Sequence, residues 1–176
     1  QKRRACVGIA LINDPAVLFL DEPTTGIDPA GRQALWSLLE SLSEDGTTVF
    51  LTTHDMAEAA ALADQVALLD EGTIVERGSP GALVEQYGGD PVLQVETAEP
   101  VPENSLSVPV GRVIPTASGV RIEGVSPAEI GSVIDAVRSF GITVERVTWS
   151  EPTLEDAYLE LSASDTAPSQ PTGPEV

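Results

Sequence analysis

One stretch of the sequence, AVLFLDEPTTGIDP at residues 16–29, decides the fold. Its first five residues form an uninterrupted apolar run, which is typical of a strand buried on both faces of a parallel sheet. The strand is predicted to end in Asp21 and Glu22, a pair of adjacent carboxylates. Asp28 followed by Pro29 has the pattern of a helix N-terminus, because aspartate caps helices well and proline fits their first position. The stretch therefore predicts a strand, a loop and a helix, with two acids where the strand ends.

The same order of elements repeats downstream. Leucines spaced three and four residues apart predict that the helix runs to about residue 45, and a β-branched strand follows at 47–52. His54 comes just after that strand, and Asp55 with Glu58 has the capping-box pattern that opens a second helix. Strands that alternate with helices through short connections predict an α/β domain with a mostly parallel sheet.

The remaining elements divide the chain into regions. They are predicted as a hairpin at 65–69 and 73–77, a helix at 79–86, strands at 92–97, 109–114 and 119–123, a helix beginning near 126, a strand at 142–149 and a last helix beginning near 153. Glycine and proline at 88–91 mark a boundary. We therefore predict an α/β part at residues 1–87, a small α+β domain at 88–161 and a disordered tail at 162–176.

Composition excludes some classes of function. The net charge is −19 at pH 7, and Lys2 is the one lysine among nine basic residues. A surface this negative repels phosphate backbones, which argues against a partner made of nucleic acid. The sequence has no run of about 18–20 apolar residues that could span a membrane, so we expect a soluble, intracellular protein. Because Gln1 comes first and the one methionine is Met56, we expect the chain to be a fragment.

The positions of Asp21, Glu22 and His54 fit the chemistry of nucleotide hydrolysis. Nucleotide hydrolysis uses one carboxylate to hold Mg²⁺, usually through water, and a second to polarise the attacking water. Neighbouring parallel strands would deliver His54 to the same edge as Glu22, where it could contact a γ-phosphate. Each residue also has a structural alternative. Many parallel strands end in an acid for solubility, a lone histidine can be a satisfied structural residue, and Asp28 can be simply a helix cap.

Over residues 1–86 the chain resembles the ATP-binding subunits of ABC transporters. The first four residues, QKRR, are similar to the end of the family's signature sequence, and residues 17–22 resemble its Walker B strand with the catalytic glutamate. Residues 26–28 resemble the D-loop, and His54 resembles the switch histidine. Four motifs in the family's order and spacing make the match specific. The resemblance implies a fold that is the C-terminal half of a P-loop NTPase sheet, followed by a small α+β domain.

The resemblance also implies a role for each residue. Asp21 would hold Mg²⁺, Glu22 and His54 would be catalytic, and Gln1, Asp28 and His54 would contribute to the nucleotide site, with Asp28 also in contact with a second subunit. The implied cofactors are ATP and Mg²⁺. The implied partners are a second ATPase subunit, in a homodimer, and a membrane permease, on the cytoplasmic face of the cell membrane.

The family's phosphate-binding loop is missing from this sequence, as are the magnesium-sensing glutamine and the serine and glycines of the signature. A phosphate-binding loop of the form GxxxxGK[ST] needs a lysine followed by serine or threonine, and Lys2 is followed by Arg3. We therefore expect this chain to bind nucleotide poorly by itself, and its ATPase activity to belong to a longer protein.

Residues 151–159, EPTLEDAYL, narrow the resemblance to the ATPase subunits of drug-resistance and ABC-2-type exporters. A capped amphipathic helix that packs on its own domain is the structural alternative for this segment. Three other functions stay open: a soluble ABC protein of translation or repair, a catalytically silent interaction module, and a sensor whose small domain binds a ligand.

Overall fold

The computed structural model describes residues 15–99, 101 and 108–165. The strands are β1 Val17–Asp21, β2 Thr48–Thr52, β3 Val66–Asp70, β4 Thr73–Gly78, β5 Val92–Thr97, β6 Arg112–Thr116, β7 Gly119–Glu123 and β8 Val144–Ser150. The helices are α1 Pro29–Glu44, α2 Met56–Leu62, α3 Pro80–Tyr87, α4 Ile130–Ser139 and α5 Leu154–Asp165. The α/β composition predicted from the sequence is confirmed.

The first of two compact units comprises residues 15–68 and 76–81 of the described chain. Its strands β1 and β2 pair in parallel, with Val17 opposite Thr48 and Asp21 opposite Thr52. Helix α1 is the crossover between them, as parallel pairing requires. Leucines of α1 and β1 form the buried core of this unit: Leu18, Leu35 and Leu39. The parallel pair therefore brings the carboxyl ends of β1 and β2 to one edge.

The prediction that β1 is buried on both faces is wrong for the described residues. Side chains alternate along a strand, and Leu18 faces the core while its neighbours face the other way. On that other face Phe19 is 73% exposed and Phe50 of β2 is 58% exposed, with ring centroids 5.5 Å apart. Helix α1 covers one face of the β1–β2 pair. A continuous apolar run in the sequence does not show whether the other face is covered as well.

The second unit comprises residues 69–75 and the described residues from 82 onward. Its centre is a four-stranded antiparallel sheet in the order β6-β7-β5-β8. The core consists of fully buried aliphatic side chains of the sheet and of α4: Leu93, Val95, Val120, Ile122, Val133 and Val137. This arrangement is the small α+β unit expected from the sequence. The division falls earlier in the chain than the predicted boundary at residue 88.

The last helix begins where the sequence predicts it. Thr153 and Asp156 form a capping box, since the Thr153 N–H donates to the Asp156 carboxylate at 2.8 Å and the Asp156 N–H donates to Thr153 Oγ1 at 3.3 Å. The helix continues to Asp165, so residues 162–165 of the predicted tail are helical, and residues 166–176 lie outside the described part. None of the helices in the described part of the chain has the length and apolar character that crossing a bilayer requires.

Candidate active site

The site is built where β1 and β2 end. Asp21 and Thr52 are register partners, and the Thr52 hydroxyl donates to Asp21 Oδ1 at 2.5 Å. The Glu22 N–H donates to the Thr52 carbonyl oxygen at 3.0 Å, which extends the parallel ladder by one step. The two strands are thus tied together at the edge that carries the acids.

Glu22 leaves the strand through an unusual backbone conformation. Its φ is +44°, in the left-handed region that non-glycine residues rarely adopt, at a cost on the order of 1–3 kcal/mol. The turn directs its carboxylate into two hydrogen bonds. Thr25 Oγ1 donates to Oε2 at 2.8 Å, and His54 Nδ1 lies 3.0 Å from Oε1. Strain of this kind persists where surrounding contacts hold it.

His54 lies two residues beyond the end of β2, and its side chain is 71% exposed. The hydrogen bond to Glu22, and then the negative charge of Glu22, raise the pKa of His54 above its ordinary value. A carboxylate accepts hydrogen bonds, so Nδ1 carries a proton and donates to Glu22. The other ring nitrogen, Nε2, is left for a ligand, and protonation of the ring would make it a donor as well.

Helix α2 begins two residues after His54. Asp55 is its N-cap, with Oδ1 accepting from the N–H groups of Ala57 at 3.0 Å and Glu58 at 3.2 Å. The predicted capping box is wrong in its second half, because Glu58 does not turn back to Asp55. Its side chain is fully buried and accepts from Trp36 Nε1 at 3.1 Å, while the Asp55 N–H donates to Thr53 Oγ1.

Two predicted site residues, Asp28 and Gln1, have not yet been located. Asp28 is the N-cap of α1, with Oδ1 accepting from the Gly31 N–H at 2.9 Å. The helix-cap interpretation of Asp28 is therefore confirmed. Gln1 lies outside the described residues.

Asp21 fits the chemistry of a magnesium ligand. It offers hard carboxylate oxygen, which Mg²⁺ prefers, at an exposed strand end. Among the described residues, no group of three or more His, Cys, Asp or Glu side chains is placed to hold a metal ion. Mg²⁺ is commonly held by one or two carboxylates together with water and phosphate oxygens, and Asp21 could supply one such carboxylate.

Sequence comparison decides the family. The chain is 35% identical over 94% of its length to "Daunorubicin resistance ATP-binding protein DrrA3" of Streptomyces coeruleorubidus. It is 36% identical, again over 94% of its length, to "Nod factor export ATP-binding protein I" of Rhizobium johnstonii. It is also 33% identical over 92% of its length to "ABC transporter A family member 8" of Arabidopsis thaliana. The chain belongs to the ABC transporter ATP-binding proteins.

Other matches concern parts of this ABC chain. A family model described as "AAA domain, putative AbiEii toxin, Type IV TA system" matches residues 3–60, which include the candidate site. A solved structure titled "Structure of ATP binding subunit of ABC transporter" matches 43% of this chain and 31% of its own, with 28% identity and a TM-score of 0.39. The chain spans about half the length of the two bacterial relatives, 54% and 52%.

Sequence reasoning missed two residues of the candidate site. Thr25 holds one oxygen of Glu22, and Thr52 holds Asp21. A signal for Thr25 was its place three residues after Glu22 in a short turn, where a hydroxyl can reach back. Thr52 could be found only from the register, because its partner lies on the neighbouring strand.

Proposed function

We propose that this chain is the C-terminal part of the ATP-hydrolysing subunit of an ABC-type exporter. The subunit would work as a homodimer on a membrane permease, at the cytoplasmic face of the membrane. One observation carries the proposal: Glu22 and His54 are hydrogen-bonded at 3.0 Å beside Asp21, at the common edge of two parallel strands. This combination provides a base, a phosphate contact and a metal ligand within one small region.

Glu22 would polarise the attacking water. Its carboxylate accepts from Thr25 Oγ1 at 2.8 Å and lies 3.0 Å from His54 Nδ1. The same two bonds fix the direction of the carboxylate, which general-base catalysis needs. The left-handed φ of Glu22 would be the cost of that placement.

His54 would contact the γ-phosphate. Its Nδ1 is engaged by Glu22, so Nε2 is the atom available for phosphate oxygen. A raised pKa favours the doubly protonated ring, in which Nε2 can donate to an anion. His54 would then both bind the charge that develops on the phosphate and keep Glu22 in place.

Mg²⁺ would neutralise charge on the phosphates, with Asp21 orienting its water shell and Thr52 fixing the Asp21 carboxylate. Asp28 would contact the second subunit, and Gln1 would belong to the signature sequence that faces the nucleotide. These two roles rest on the family resemblance.

The names of the relatives support export as the process. One is a resistance protein and another an export protein, both described as ATP-binding. The segment 151–159 adds its similarity to exporter subunits, and its helix is anchored in the second unit by Leu154 and Ala157, both buried.

Measuring Mg²⁺-dependent ATP binding and hydrolysis tests the proposal. The 176-residue chain would be compared with the polypeptide extended at its N-terminus through any glycine-rich phosphate loop. We expect activity in the extended form and little in this chain. Activity in neither form would contradict the proposal and would favour a catalytically silent interaction module.

A further inference from the structure

Two polar contacts fasten α2 to α1. Arg32 Nη1 lies 2.9 Å from Asp55 Oδ2, and Trp36 Nε1 donates to Glu58 Oε1 at 3.1 Å. Arg32 and Trp36 are one turn apart on α1, and Asp55 and Glu58 flank the first turn of α2. The two contacts therefore join the same faces of two helices that are distant in sequence.

His54 lies next to the helix that these contacts hold. Helix α2 has seven residues, and so short a helix cannot hold itself in place without tertiary contacts. His54 is the residue before its N-cap, and its largely exposed ring is not fixed by packing. The ring is therefore placed by its bond to Glu22 and by the turn that carries it. Asp55 anchors that turn on both sides, since one carboxylate oxygen caps α2 and the other meets Arg32.

We propose that Arg32 is a positioning residue for His54, acting through Asp55 to hold the turn between β2 and α2 against the first turn of α1. The inference rests on the proposed function of Glu22 and His54. Because the ion pair is partly exposed, with side-chain exposures of 38% and 29%, it contributes little to overall stability. Its effect is on geometry, where a small displacement of a catalytic group has a large effect on rate.

Arg32 also lies close to the Asp28 segment. Its backbone N–H donates to the Asp28 carbonyl oxygen at 2.9 Å, in the first turn of α1. The backbone of Arg32 thus contacts the Asp28 segment, which is proposed to meet a second subunit. Its side chain contacts the turn that carries His54. Docking of a second subunit at Asp28 would reach His54 by this route.

The test uses ATP hydrolysis by the whole protein with Arg32→Met and Asp55→Asn. Asparagine is also a good N-cap, so the second variant keeps the start of α2 and removes the ion pair. In both variants we expect kcat to fall about 10-fold, with KM for ATP changed less than about 2-fold and an unchanged unfolding midpoint. Arg32→Lys retains the charge and should recover part of kcat. The double variant should lose no more kcat than the more strongly affected single variant, because both changes cut one link.

Arg146→Met is the matched control. It removes the Arg146–Glu96 ion pair of the second unit, with the same change of charge, and should leave kcat unchanged. If His54→Ala abolishes hydrolysis while Arg32→Met and Asp55→Asn keep wild-type kcat, the positioning role is wrong and the proposed function stands. If the loss of kcat is matched by a lower unfolding midpoint, Arg32 is only structural and the inference is also wrong. Full activity in His54→Ala would overturn both proposals.

Discussion

Replacing Asp28 separates its role as a helix cap from its proposed role between subunits. In Asp28→Ala the Gly31 N–H loses its acceptor, which costs about 1 kcal/mol, and the helix N-terminus loses a negative charge worth about 0.3–1 kcal/mol. The free energy of unfolding should therefore fall by about 1–2 kcal/mol. Asp28→Ser keeps an oxygen for the Gly31 N–H and should lose less than about 1 kcal/mol. Asp28→Asn keeps the size of the side chain as well, and should behave like serine.

The assay measures unfolding by denaturant and ATP hydrolysis on the same three variants of the whole protein. If Asp28 also contacts a second subunit through its charge, serine and asparagine should restore stability but not activity. Hydrolysis would then be as low in Asp28→Ser as in Asp28→Ala. Activity that follows stability across the series would refute a role beyond the cap.

Three further predictions concern single contacts. Glu22→Gln should lower the pKa of His54 toward its ordinary value, seen by NMR of the imidazole, because Glu22 raises it. In the wild type, the contribution of the Glu22–His54 pair to the free energy of unfolding is present below pH 6.5 and is lost as pH rises through the raised pKa of His54. An unchanged His54 pKa in the variant would contradict the contact. Thr25→Val should lower kcat about 10-fold with KM for ATP unchanged, since one Glu22 oxygen loses its donor, and wild-type kcat would disprove this. Gly119→Ala should reduce the free energy of unfolding by at least about 2 kcal/mol in denaturant titration. The reason is that φ of Gly119 is +149° and a Cβ would overlap the Val95 carbonyl oxygen. A neutral result would contradict the β5–β7 pairing.

The local elements could be predicted because their signals are local. The run at 16–20 gives β1, and the Asp28-Pro29 pair gives the start of α1. The proximity of His54 to Glu22 also follows from sequence, since parallel strands that are joined by one helix deliver their ends to one edge. The chemical roles of these residues stay predictions.

Contacts between distant elements could not be predicted in the same way. The spacing of Asp55 and Glu58 fits a capping box, and only the packing of α1 on α2 shows that Glu58 is buried beneath Trp36. The Arg32–Asp55 pair depends on the same packing. Nor could an apolar run tell whether Phe19 faces a second layer, because that depends on what covers the sheet.

The most direct test of the account is ATP binding and steady-state hydrolysis by the Glu22→Gln variant of the whole protein. Glutamine keeps the shape of the side chain and removes the base, so we expect binding of Mg²⁺–ATP as in the wild type and a loss of turnover of about 10²–10⁴-fold. Hydrolysis at the wild-type rate would contradict the assignment of Glu22, and with it the proposed active site.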